Sequence, residues 1–189
     1  MPSKVVFTPE IILTRAFNIV KREGLETLSA RRIAKELGCS TQPIYKSYSS
    51  MADLQSAVIE KAKAYALAYF SQELATASPF LSFGLRYFQF AREERPLFEI
   101  LFLEGLIGIS LENIGQPFSS LLDNLKTDPN LQGLSDASLK RLGTNMWIYL
   151  HGLVTLIHKN PTDQAKNFVQ EKLLLMGKTL IEAEQTLNS

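Results

Sequence analysis

Along most of this chain apolar side chains recur every three or four positions, the spacing that lines one face of an α-helix rather than the alternation of a strand. Leu13, Ala16, Phe17 and Val20 stand at i, i+3, i+4 and i+7, which predicts a first helix opening at Thr8-Pro9 and ending at Gly24. Ile33, Ala34 and Leu37 share a face of a second, short helix, with Ser29 as its cap and Gly38 where a left-handed terminal residue is wanted. Ser40 is expected to cap a third helix whose first turn holds Thr41, Gln42 and Pro43. Proline is tolerated there because first-turn amides have no intrahelical acceptor. Ile44 and Tyr48 share one face of that helix, and Thr41, Gln42, Tyr45 and Lys46 point elsewhere. Ser50 and Asp53 have the spacing of an acidic capping box, which would start a long helix over 51–76.

Beyond it, Ser78-Pro79 is expected to cap a helix reaching about Arg95, and Pro96 restarts the chain. A short apolar helix follows over 97–105, a region over 107–125 broken by Gly115 and Pro117, and a polar loop over 126–133. Two long helices, over 135–159 and 161–187 with Asn160-Pro161 as cap and first residue, complete an all-α chain without repeats. Two short capped helices joined by a tight turn, from Leu28 to Leu54, form the kind of pair that places a helix in the major groove of DNA. The expected organisation is a three-helix head with a helix-turn-helix over 1–50 and a larger helical body over 51–189.

Charge favours that use of the head. Up to Lys63 there are ten Lys or Arg against six Asp or Glu, and beyond it ten against thirteen, so the basic excess lies where the paired helices lie. Thr41, Gln42, Tyr45 and Lys46 together offer base-reading, hydroxyl and phosphate-binding chemistry. Cys39 is the single cysteine, so no internal disulfide or cysteine-based metal site forms, as expected of a cytoplasmic protein. No secretory signal is visible, and the uncharged run over 142–158 is shorter than the roughly 20 mainly apolar residues of a membrane span. That run is expected to be buried in a protein interface. His151 and His158, seven residues apart, would sit about 10 Å apart along one helix and cannot share a metal ion, so packed, hydrogen-bonded histidines are expected. Aromatic residues crowd the middle of the chain. Most are expected in the core, with Phe83, Tyr87, Phe102 and Trp147 available to line a cavity for an apolar or aromatic molecule.

Residues 8–58 resemble the N-terminal domain of the TetR family of bacterial transcriptional regulators. The shared pattern is S-x-R-x-I-A-x-x-L-G-x-S followed by Y-x-x-[FY], carried here by Ser29, Arg31, Ile33, Ala34, Leu37, Gly38, Ser40, Tyr45 and Tyr48. The chain departs from it at Met51, where many members carry a lysine that contacts phosphate. A weaker likeness, W-x-x-x-H-G at Trp147, His151 and Gly152, is to a C-terminal domain type found in part of the family. The resemblance implies backbone contacts to DNA from Ser29, Arg31, Tyr45, Lys46 and Tyr48, and a homodimer built from the last two helices. It further implies a repressor that leaves operator DNA when a small molecule enters the body.

The enzyme class has little to offer in comparison. The chain has no G-x-S-x-G, H-E-x-x-H, Walker loop or G-x-G-x-x-G, and its two histidines lie far from its one cysteine in sequence. No catalytic residue, metal ligand or cofactor is therefore expected. The expected function is a sequence-specific DNA-binding regulator, and the alternative is a helical small-molecule binding protein or enzyme with no DNA role.

Overall fold

The computed structural model describes residues 7–72, 78–108, 126, 128–160 and 162–187, and among these there is no strand. Helix α1, Pro9–Glu23, begins where the Thr8 hydroxyl accepts from the Ile11 amide and ends at Gly24, whose φ of 93° suits a residue without a Cβ. A 3₁₀ turn, Leu25–Thr27, leads to α2, Ala30–Leu37, capped by Ser29 through the Arg32 amide at 3.2 Å. Gly38 is left-handed at φ 65°, which lets the Cys39 amide reach back to the Ala34 carbonyl at 3.0 Å.

Helix α3, Gln42–Ser47, starts differently from expectation. Thr41, not Ser40, holds the cap position, and its backbone is already helical at φ −73° and ψ −12°, so its hydroxyl makes no capping bond. Capping by a side chain needs the extended backbone that Thr41 lacks. The Thr41 carbonyl still accepts from the Ile44 and Tyr45 amides, and Pro43 has no amide to satisfy. Helix α4, Met51–Phe70, opens on Ser50, which accepts from the Asp53 amide at 3.1 Å and donates its hydroxyl to the Asp53 carboxylate at 3.0 Å. It ends sooner than predicted: Ser71 turns its hydroxyl back on the Leu67 carbonyl at 2.9 Å, and the Gln72 amide bonds three residues back rather than four. Ile12, Ile19 and Val20 of α1, Ile33 of α2, Ile44 of α3, and Leu54 and Val58 of α4 are all buried.

Helix α5, Pro79–Glu93, is capped by the Ser78 hydroxyl through the Leu81 amide. Helix α6, Arg95–Phe98, runs on into a π-helical turn, Glu99–Leu103, where one short apolar helix was expected. The predicted irregular region over 107–125 lies outside the described residues from position 109 onward. Of the expected polar loop, Asp128 and Leu131 are buried beside a 3₁₀ turn, Pro129–Leu131, because the Asp128 carboxylate caps that turn through the Asn130 amide. Helix α7, Asp136–Ile157, is capped by Ser135. Helix α8, Asp163–Leu187, follows Thr162, whose hydroxyl accepts from the Ala165 amide at 3.2 Å; the predicted first residue, Pro161, lies outside the described residues.

The described residues form two compact units. One comprises those up to Ala66 with Pro96–Leu106, and the other comprises Leu67–Arg95 with those from Ile107 on, so the division falls within α4. In the second unit α5, α7 and α8 pack on one another. Gly84 of α5 allows the close approach, since a Cβ there would collide with Leu173 Cδ1 of α8. Arg141 of α7 grips Glu184 of α8 with two bonds, 3.1 and 2.6 Å, and this hydrogen bonding holds the buried Glu184 carboxyl below its usual range. No helix among the described residues is long and apolar enough to cross a membrane.

Candidate nucleic-acid interface

One side of α3 is anchored and the other is open. Ile44 is buried, whereas Gln42, Tyr45 and Lys46, at i, i+3 and i+4, are exposed on a common face, with Tyr45 at 53%. Thr41 is half-buried with its hydroxyl uncommitted to a cap. Ser29 and Arg31 are exposed at the start of α2, although the Ser29 hydroxyl already serves as a cap. Tyr48, half-buried, makes a bond within the head. Its hydroxyl donates to the Pro9 carbonyl at 3.2 Å, tying the end of α3 to the start of α1, and burial together with the nearby Glu10 charge raises its pKa.

The positive charge of the head is sorted by pairing. Glu36 draws Arg22 at 2.7 Å, Arg32 at 3.4 Å and Arg15 at 3.7 Å, and Glu23 draws Arg22 at 2.6 Å and Arg32 at 2.7 Å. The Arg22 hydrogen bond holds the Glu36 carboxyl below its ordinary value. Lys61 pairs with Glu10, Lys63 with Glu60, and Lys21 donates to the Tyr65 hydroxyl at 2.6 Å. Among the described residues of α1 to α4, the cations with neither an ion pair nor a side-chain hydrogen bond are Arg31, Lys35 and Lys46, all exposed and all on α2 or α3. Lys35 was missed by the sequence reading. Its signal was the i+4 spacing from Arg31 on the polar side of α2, which becomes informative only once Arg32 is seen to be occupied.

Neither a sequence-family model nor a curated protein matches this chain. Solved structures do. A TetR-family transcriptional regulator from Streptomyces coelicolor superposes over 94% of this chain and 88% of its own, with a TM-score of 0.64 at 15% identity. A structure described as a TetR-family transcriptional regulator from Rhodococcus sp. covers 92% of this chain and 98% of its own, with a TM-score of 0.53 at 14% identity. The fold is that of the TetR-family regulators. In this TetR fold the open face of α3 and the unpaired cations belong to the helix-turn-helix head.

The aromatics singled out from sequence are divided between the two units. Phe83 and Tyr87 lie 6.2 Å apart by ring centroid, and Tyr87 meets the His151 Nδ1 at 2.8 Å. His151 stacks on Trp147 at 5.0 Å with an interplanar angle of 8°. Burial holds His151 below its ordinary pKa and pushes the Tyr87 hydroxyl well up. Phe102 lies in the other unit, where it packs on Phe98 at 5.4 Å. His158 caps α7 and its Nδ1 meets the Thr155 carbonyl at 2.7 Å, so both histidines are packed and hydrogen-bonded. A cavity of about 390 Å³ does exist in the second unit, but none of those four aromatics lines it. Its walls come from α5, the Asp128–Leu131 turn, α7 and α8, with Leu81, Leu131, Leu142, Met146 and Leu173 as its apolar lining.

Proposed function

We propose that this protein is a homodimeric, sequence-specific DNA-binding regulator, and that it represses transcription until a small molecule enters its body. The head over 1–50 contacts DNA, and residues 51–189 supply the ligand site and the dimer contacts. The observation that carries the reading is the concentration of unpaired cations on α2 and α3, beside the exposed Gln42 and Tyr45. Arg31, Lys35 and Lys46 hold the phosphate backbone, Gln42 pairs with an adenine edge, and Thr41 and Tyr45 add hydroxyl contacts. Three such cations in each of two heads amount to about six phosphate contacts, enough for roughly a thousandfold loss of affinity between 50 and 200 mM salt. The exposed apolar residues of the last two helices support dimerisation, which would hold paired heads about 34 Å apart over successive major grooves.

The test is selection of bound duplexes from a random-sequence library at low salt. The expected product is a two-fold symmetric motif with half-sites one helical turn, or a multiple of it, apart. Absence of any enriched motif would overturn DNA recognition and favour a small-molecule binding protein that uses the cavity alone.

A further inference from the structure

The 390 Å³ cavity of the second unit is apolar along most of its wall, and one of its two lining acids, Asp128, is deeply buried. Asp128 lines it with only 2% of its surface exposed. Its carboxylate accepts from the Ser78 hydroxyl at 2.5 Å and from the Asn130 amide and side-chain nitrogen at 2.9 Å each. Those are neutral donors. Among the described residues no Lys, Arg or His nitrogen lies within 4 Å of it. Lys178 lines the same cavity, yet its ammonium is 3.9 Å from Glu182, another lining residue. Among the described lining residues two acids stand against one base, one net negative charge. A carboxylate buried without a counter-ion is costly, and a ligand cation is the species that offsets it.

We infer that this cavity is a binding site for a small amphipathic amine, its ammonium beside Asp128 and its hydrocarbon body against Leu81, Leu142, Met146 and Leu173. An ammonium brings both the missing charge and hydrogen-bond donors, whereas a carboxylate ligand would meet Asp128 with like charge and an alcohol would leave the charge unmatched. The volume lies within the range of sites that enclose small organic molecules. That the amine serves as the effector rests on the regulatory reading above; that it binds does not.

The experiment is calorimetric titration of the full chain, without DNA, with 1-octylamine, 1-octanol and octanoate at pH 7. Octylamine is expected to bind at least tenfold more tightly than either of the others. In Asp128→Asn that preference should shrink to within about threefold, and Met146→Trp, which fills the cavity and leaves the acid in place, should abolish binding of the amine. Circular dichroism checks that each variant folds, and the parental selectivity decides the question even where a variant does not. Octanol or octanoate binding as tightly as the amine would overturn the inference, as would no binding by any of the three or an Asp128→Asn protein with parental selectivity. Repeating the amine titration on the protein bound to its selected DNA separates the two readings. Equal affinity with and without DNA leaves the amine site standing and removes its role as effector.

Discussion

Under the proposed function, single side chains of the head divide into readers, holders and structural ties, and the division predicts different modes of failure. Gln42→Ala should relax preference at one base pair per half-site, because a bidentate contact to adenine discriminates by about 1–3 kcal/mol. An unchanged motif after selection would remove Gln42 from the base edge. Lys46→Ala should weaken binding to every sequence and flatten the salt dependence by about one unit per half-site, since each neutralised phosphate contributes about 0.9. Binding isotherms at four salt concentrations measure this, and a parental slope would place Lys46 away from DNA. In the body, His151 supplies a pH signature. Its folded pKa is lowered by burial from 6.5, so below that value the unfolded chain takes up a proton that the folded chain refuses. Its contribution to stability is therefore complete at pH 7.5 and is lost as the pH falls through 6.5 towards the lowered folded pKa. Urea midpoints at pH 7.5 and 5.5 should differ less in His151→Gln than in the parent, and an equal difference would contradict this.

Helices are held at the scale of elements by close approach more than by charge. The α5–α8 contact has no room for a methyl at Gly84, and the side chain it would strike, Leu173, is itself buried and hemmed in. Gly84→Ala should therefore destabilise by about 1–3 kcal/mol, the usual cost of overpacking, despite the gain in helix propensity. Chemical denaturation measures it, and a stabilised variant would show that Leu173 swings clear. The ends of α1, α2, α5, α7 and α8 are set by Thr or Ser hydroxyls accepting from an amide three residues on, a bond that depends on adjacent residues only.

At the scale of the whole molecule the outer faces of α7 and α8 invite a second copy. Ile148 and Leu156 flank Gly152 along α7, and Phe168 and Leu175 stand seven apart along α8, all four of the large side chains exposed. Leu175 is 60% exposed, and a charge buried there without a partner would be costly in an interface. Leu175→Arg should sediment as a monomer and lose affinity for the selected DNA, because paired half-sites need two joined heads. A parent protein that is itself monomeric at micromolar concentration would refute the dimer. If the body regulates the head, ligand and DNA must weaken each other equally, by a coupling typically of 1–3 kcal/mol.

The starts of most helices, the caps at Ser29, Ser50 and Ser78, the left-handed Gly38 and the helix-turn-helix were legible in the sequence. Each rests on residues within one or two turns of one another, where spacing and side-chain chemistry suffice. The end of α4, the cap of α3 and the break of the short apolar helix into a π turn were not, because there backbone hydrogen bonds chose between alternatives of similar local cost. Tertiary structure alone decided which cations of the head are spent: Glu36 meets Arg22 from fourteen positions away, leaving Arg31, Lys35 and Lys46 unpaired. It also turned Tyr48 onto Pro9, buried Asp128 in a stretch that reads as a polar loop, and lined the 390 Å³ cavity largely with aliphatic residues. Periodicity tells which face of a helix is apolar, but the neighbour that covers that face, and the polar group buried with it, come from segments tens of residues apart.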